Sequence, residues 1–156
     1  MTKILVVDDE EGIVDLLDEH LSDEGFDVIS ANNGASALAK IYQEKPDIVL
    51  LDLNIPELNG YEVLRELRQA TTTKNLPVIL LTGVSPTEGE KVAVELGANH
   101  YVTKPCKLAS LRAVIRVAMR EVGSSAWAKP SAADFRGVKQ FRLDQLTPPS
   151  ADRHSV

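Results

Sequence analysis

The chain is predicted to be a doubly wound α/β domain built on a five-stranded parallel sheet in the order 2-1-3-4-5. Three observations predict it. Strand-like and helix-like patterns alternate five times along residues 3–121, and alternating βα units give a parallel sheet with right-handed crossovers. The strand candidates are short apolar runs bounded by turn residues, as expected where both faces of a sheet are covered. Four of these runs end on chemically active side chains: Val6-Val7 on Asp8-Asp9, Leu50-Leu51 on Asp52, Leu80-Leu81 on Thr82, and Val102-Thr103 on Lys104-Pro105.

Taken in order, the strands are predicted at 3–8, 27–31, 47–51, 77–82 and 99–103. Between the first two, Ile13, Leu16, Leu17 and Leu21 make one helical face. Ala35, Leu38, Ala39 and Ile41 make a second, and Val63, Leu64 and Leu67 a third. A weaker helix covers about 86–96, where Gly89 lowers the intrinsic propensity. The last runs from about 107 to 121 with Leu108, Leu111, Val114, Ile115 and Ala118 inward. Gly25 and Gly97 fall where helix C-caps are expected.

In an open parallel sheet, ligands sit beyond the carboxyl ends of the strands. The order 2-1-3-4-5 sets strand 1 beside 3, then 4, then 5. Asp8-Asp9, Asp52, Thr82 and Lys104 then meet at one edge, while strand 2, ending in Ala31-Asn32-Asn33, stands apart with no matching chemistry. Each residue alone has an ordinary reading: Asp8-Asp9 as a loop start or helix cap, Asp52 as a turn residue, Thr82 as a strand-end hydroxyl, Lys104 as a solvated cation. It is their convergence that points to a site.

Composition sets the class. Hydrophobic residues make up 44% and charged residues 26% of 156, ordinary for a water-soluble domain. The seven aromatics leave the core mainly aliphatic. No apolar run reaches the ~18 residues that cross a bilayer, and no signal peptide is visible, so a cytoplasmic location and no membrane partner are expected. The single cysteine, Cys106, excludes an internal disulfide and reads as a small apolar side chain. Residues 1–122 carry 12 Lys/Arg against 20 Asp/Glu, a balance of −8, which argues against direct nucleic-acid binding.

The motifs resemble the response-regulator receiver family, the phosphoacceptor half of two-component signalling. The matching pieces are Val6-Val7-Asp8-Asp9-Glu10, Asp47-Ile48-Val49-Leu50-Leu51-Asp52, Ile55-Pro56-Glu57-Leu58-Asn59-Gly60, Pro77-Val78-Ile79-Leu80-Leu81-Thr82, and Leu96 through Pro105. Four departures stand out: Gly83 where Ala is common, Cys106 for Phe, Asn59 for Asp, and Asn99-His100 where winged-helix regulators often carry two acids. The resemblance implies a flavodoxin-like receiver fold. It implies a phosphoryl group accepted on Asp52, with Mg²⁺ held by Asp9 and Asp52 directly, by Asp8 through water and by the Asn54 backbone carbonyl. Lys104 and Thr82 would contact the phosphoryl oxygens, and Tyr101 would act as a switch aromatic. The family also implies a cis Lys104–Pro105 bond.

The partners implied are a sensor histidine kinase or phosphotransfer protein and an unknown downstream protein. The resemblance implies no conventional turnover enzyme, only assistance to the domain's own phosphorylation and dephosphorylation. A phosphorelay intermediate and an unphosphorylated pseudo-receiver scaffold are the alternatives. A haloacid-dehalogenase-type phosphatase is a further rival, but it needs an acid two residues beyond the acceptor, where this chain has Asn54.

The receiver is expected to span 1–122, followed by a Ser/Pro-containing segment, 123–156, mobile or conditionally docked through Phe135 and Phe141. No output domain is visible after it. His20, His100 and His154 lack metal-ligand spacing and read as surface histidines. Arg112, Arg116 and Arg120 read as a solvated stripe.

Overall fold

The computed structural model describes residues 2–55, 59–83, 86–104 and 107–122. Five strands and five helices alternate: β1 (Lys3–Val7), α1 (Glu11–Asp23), β2 (Asp27–Ala31), α2 (Gly34–Glu44), β3 (Ile48–Asp52), α3 (Gly60–Gln69), β4 (Val78–Thr82), α4 (Pro86–Leu96), β5 (His100–Thr103) and α5 (Leu108–Val122). The strands form one sheet in the order β2-β1-β3-β4-β5, and every pairing is parallel. This is the predicted topology, with strand limits within a residue of expectation. The Lys104–Pro105 bond, Cys106, His154 and the segment 123–156 lie outside the described residues.

The continuous apolar runs are explained by burial on both sheet faces. On β3, Ile48 and Leu50 join one core, with Leu17 and Leu21 of α1 and Leu111, Val114, Ile115 and Ala118 of α5. Val49 and Leu51 join the other, with Ala37 and Ile41 of α2, Val63, Leu64 and Leu67 of α3, and Ala93 of α4. Successive strand residues point to opposite faces, so a strand covered on both sides needs an apolar residue at every position.

Two helix faces depart from expectation at individual positions, while Ile13, Leu17 and Leu21 of α1 and Leu38 and Ile41 of α2 face the core as predicted. Leu16 is 48% exposed although its neighbour Leu17 is buried, because adjacent residues on a helix lie about 100° apart and only one can centre the core stripe. On α2, Ala35 and Ala39 face solvent, and the buried stripe is Gly34, Ala37 and Ile41, with Leu38 packed beside it. Alanine is too weakly apolar to reveal which side faces the sheet. The α3 and α5 faces are as predicted. Gly25 and Gly97 follow α1 and α4 with φ of +95° and +78°, the left-handed conformation of a helix C′ residue.

Candidate functional site

The active side chains gather at the carboxyl edge of the sheet. Asp8 is the first residue beyond β1 and is 1% exposed. Its amide donates to the Ala31 carbonyl at 3.1 Å, which fixes the chain as it leaves the strand. Its Oδ1 accepts from the Glu10 amide at 3.0 Å. Asp52 is the last residue of β3 and is 5% exposed. Its Oδ1 accepts from the Asn54 amide at 3.0 Å. Asp9 is exposed beside them, and one carboxylate oxygen from each of Asp8, Asp9 and Asp52 lies within 4.8 Å of the others.

Lys104, just past β5, spans the two buried carboxylates. Its Nζ donates to Asp8 Oδ2 at 2.7 Å and to Asp52 Oδ2 at 3.2 Å. Glu10 Oε1 lies farther away, at 3.8 Å, on a side chain 65% exposed, where such a pair contributes little. The Lys104 amide donates to the Thr82 carbonyl at 2.7 Å. Thr82 is 2% exposed and stands level with Thr103 on the neighbouring strand. Tyr101 is 2% exposed, inward in the core shared with α3 and α4.

Electrostatics separate the two central groups. Burial raises the Asp52 pKa above its ordinary value, and Asp8 adds to the rise; the Asn54 amide and Lys104 act against it. Lys104 feels burial in the opposite sense, since desolvation lowers it. Its hydrogen bond to Asp8 and the charges of Asp52 and Asp8 outweigh that, so its pKa is raised. The result is a firmly charged ammonium against a carboxylate more basic than usual.

The edge of the sheet away from this site holds a second polar group that the sequence did not expose. His100 is wholly buried, not a surface histidine, and its Nε2 lies 2.7 Å from Glu121 Oε1. Burial lowers its pKa although Glu121 acts to raise it, so at neutral pH the pair is a neutral imidazole donating to a carboxylate. Arg68, from the last turn of α3, donates through Nε to Gly97 O at 2.7 Å, through Nη1 to Thr73 O at 3.2 Å and through Nη2 to Asn99 Oδ1 at 2.9 Å. Asn99 Oδ1 also accepts from the Val78 amide at 2.9 Å. Burial pulls the Arg68 pKa down to about 10, which leaves it charged at neutral pH. The Asn99-His100 pair therefore knits β4 to α3 and β5 to α5. The departure of this pair from the family pattern was the available signal.

In the expected solvated arginine stripe, Arg116 and Arg120 are exposed and Arg112 is partly buried. Arg112 and Arg116 approach Glu24, at the end of α1, at 3.0 and 3.4 Å.

A buried carboxylate pair bridged by a lysine, at the carboxyl edge of a 2-1-3-4-5 sheet, is the arrangement of a signalling receiver. The chain belongs to the response regulator receiver domain family, whose model matches residues 4–116. It is 42% identical over 130 residues to the alkaline phosphatase synthesis transcriptional regulatory protein PhoP of Bacillus subtilis, covering 83% of this chain and 52% of that protein. The chain spans about half the length of the curated relatives it matches. Among solved structures it resembles the BeF₃-activated N-terminal receiver domain of Klebsiella pneumoniae RstA, with a TM-score of 0.69, 32% identity, and 76% and 99% of the two chains covered. It also resembles the receiver domain of a signal transduction histidine kinase from Syntrophus aciditrophicus, with a TM-score of 0.74, 28% identity, and 85% and 99% covered.

Proposed function

We propose that this receiver accepts a phosphoryl group on Asp52 from a histidine kinase or phosphotransfer protein and passes the signal on by binding another protein. The observation that carries the reading is the contact of one ammonium, Lys104 Nζ, with two buried carboxylates, Asp8 and Asp52, next to a third at Asp9. Three carboxylates, with one oxygen of each within 4.8 Å of the others, carry more formal negative charge than the single Lys104 ammonium offsets. The donors are hard oxygens, the set that suits Mg²⁺. Asp9, Asp52 and the Asn54 carbonyl would hold the ion, with Asp8 acting through water. When bound, it supplies positive charge against the phosphoryl oxygens.

The protein's own part is positioning and electrostatics. An Asp52 oxygen attacks phosphorus, the phosphorus–nitrogen bond of the donor imidazole breaks, and the leaving nitrogen keeps the electron pair. Burial makes the Asp52 carboxylate a better nucleophile. Lys104 meets one phosphoryl oxygen as a point charge, and the Thr82 hydroxyl donates to another. Phosphate at this edge biases a pre-existing equilibrium that differs in its contacts with Thr82 and Lys104, and Tyr101 reports it. Such a domain assists its own phosphorylation and hydrolysis without being a turnover enzyme. The receiver reading carries with it a cytoplasmic location. Among the described residues, no helix is long and apolar enough to cross a membrane.

A second reading, a receiver that governs transcription through a DNA-binding partner region, is favoured by the similarity to PhoP, whose name is that of a transcriptional regulator. The test of the phosphoacceptor is labelling by acetyl phosphate with Mg²⁺. Wild type is expected to gain an acid-stable, base-labile phosphate, and Asp52→Asn none. Labelling of Asp52→Asn at the wild-type level would remove the assignment.

A further inference from the structure

Gly60 opens α3 and makes an unusually close approach to the acceptor strand. A Cβ built there would lie 2.6 Å from the Asp52 carbonyl oxygen, 2.6 Å from Leu53 Cα and 3.2 Å from the Asp52 carbonyl carbon. All three are backbone atoms, which cannot swing aside as the end of a side chain can. By contrast, Gly12, Gly25 and Gly83 face open space, and the nearest neighbour of Gly97 is a side-chain methylene of Arg68 at 3.4 Å.

The same glycine is bonded to the peptide that orients the acceptor. Its amide donates to the Leu53 carbonyl at 3.2 Å. The other end of that peptide unit, the Asn54 N–H, donates to Asp52 Oδ1 at 3.0 Å. One rigid plane thus runs from the first amide of α3 to the acceptor carboxylate. Asp52 Oδ2 is held separately by Lys104. The start of α3 is itself fixed by a capping box, in which Asn59 Oδ1 accepts from the Glu62 amide at 3.1 Å and Glu62 Oε1 accepts from the Asn59 amide at 3.4 Å.

We propose that Gly60 is a positioning residue: its missing side chain lets α3 seat against β3 and, through the Leu53–Asn54 peptide, set the orientation of the Asp52 carboxylate. This rests on the phosphoacceptor reading of Asp52. A methyl group at position 60 has to displace either the helix start or the Asp52–Leu53 backbone that it meets. Leu53 Cα is also the first atom of the Leu53–Asn54 plane, so its displacement turns that plane and moves the Asn54 N–H relative to Oδ1.

The experiment compares full-length wild type, Gly60→Ala and Asn59→Ala. Asn59→Ala weakens the start of the same helix by removing its cap but adds no atom at position 60. In metal-free protein, the Asn54 amide and Asp52 carboxyl NMR resonances are expected to move in Gly60→Ala and to stay near wild type in Asn59→Ala. At saturating Mg²⁺, acetyl phosphate labelling is expected to slow by on the order of 100-fold in Gly60→Ala, the scale of a ~1 Å misplacement. In Asn59→Ala it should remain within about twofold of wild type, because the reacting groups keep their geometry.

If Gly60→Ala does not fold, it is placed in a Gly12→Ala background, where the added methyl meets open space and favours the helix. Unchanged Asn54 and Asp52 resonances in a folded Gly60→Ala overturn the proposal. So does slowing that is equal in the two variants, since that is general fraying of α3. So does failure to fold in both backgrounds, since Gly60 would then serve folding alone. A wild type that takes no label overturns the acceptor reading itself, and the positioning role falls with it.

Discussion

The ammonium of Lys104 lies nearer to Asp8 than to the acceptor candidate: Nζ to Asp8 Oδ2 is 2.7 Å, whereas Nζ to Asp52 Oδ2 is 3.2 Å. Asp8 and Lys104 are 96 residues apart in sequence. Their contact holds β1 and β5 across the intervening β3 and β4, and it leaves Lys104 close enough to serve a group attached to Asp52.

Lys104→Met removes the ammonium that bridges the two buried carboxylates and is expected to cost about 3–5 kcal/mol at pH 7 without Mg²⁺, the scale for breaking a buried pair from one side. The folded pKa of Lys104 is raised above the ordinary 10.5. Its contribution is therefore fully present below 10.5 and is lost as pH rises through the higher folded value. Urea unfolding at pH 7 and at increasingly alkaline pH should show the two proteins converging at the alkaline end. Mg²⁺ should bind the variant more tightly at low salt, because a competing positive charge has gone.

Asp52→Asn should stabilise the metal-free protein. The Asp52 pKa is raised on folding from the ordinary 3.8, so the ionised side chain subtracts from stability once pH exceeds that range. A neutral amide removes this, and a higher Tm than wild type is expected at pH 7. The gain should vanish as pH falls below 3.8, where the carboxyl is protonated in both states. Saturating Mg²⁺ should raise the Tm of wild type more than that of the variant, by mass action. Thermal scans from pH 3 to 8, with and without Mg²⁺, measure both effects.

His100 should make stability fall on acidification. Its pKa is lowered in the folded state from the ordinary 6.5, so the unfolded chain takes up protons first. Its contribution is present above 6.5 and is lost as pH falls through the lower folded value. Comparing unfolding free energies at pH 7.5 and 5.5, wild type should lose more than His100→Gln. Equal losses would mean that His100 does not titrate differently on folding.

Arg68→Met should strip a donor from Gly97 O, Thr73 O and Asn99 Oδ1 together. The expected cost is about 2–4 kcal/mol, given ~1–3 for each buried group left unsatisfied and water reaching some of them. Arg68→Lys should recover little, since a single ammonium cannot span the three acceptors that the planar guanidinium reaches. Denaturant unfolding reads the loss. Faster hydrogen exchange at the Val78 amide, which shares Asn99 Oδ1, locates it.

Much of the acidic site was legible before any coordinates because it follows from chain direction. A run such as Val49-Leu50-Leu51 has to be a doubly covered strand, and in a parallel sheet every such strand ends at the same edge. Asp8, Asp52 and Thr82 were placed by that argument, and all are found buried there. Helix phase was legible only where a large aliphatic stripe marks it, as with Leu111, Val114 and Ile115. On α2 the alanines left it open, and Ala37 rather than Ala35 or Ala39 meets the core.

By itself, then, the sequence determined the alternation of elements and the edge at which the strand ends carrying the carboxylates and Lys104 lie, because those depend on hydrophobic periodicity and local chain direction; the order 2-1-3-4-5 was expected as the common one for a five-stranded doubly wound sheet. Only the tertiary structure decided how distant polar groups satisfy one another. It buried His100 against Glu121, gave Arg68 three acceptors from other segments, and brought the bare Cα of Gly60 onto the Asp52–Leu53 backbone. None of these leaves a periodic trace. Each is set by the packing distance between elements remote in sequence, where a buried polar group must find a partner and a close backbone approach leaves no room for a side chain.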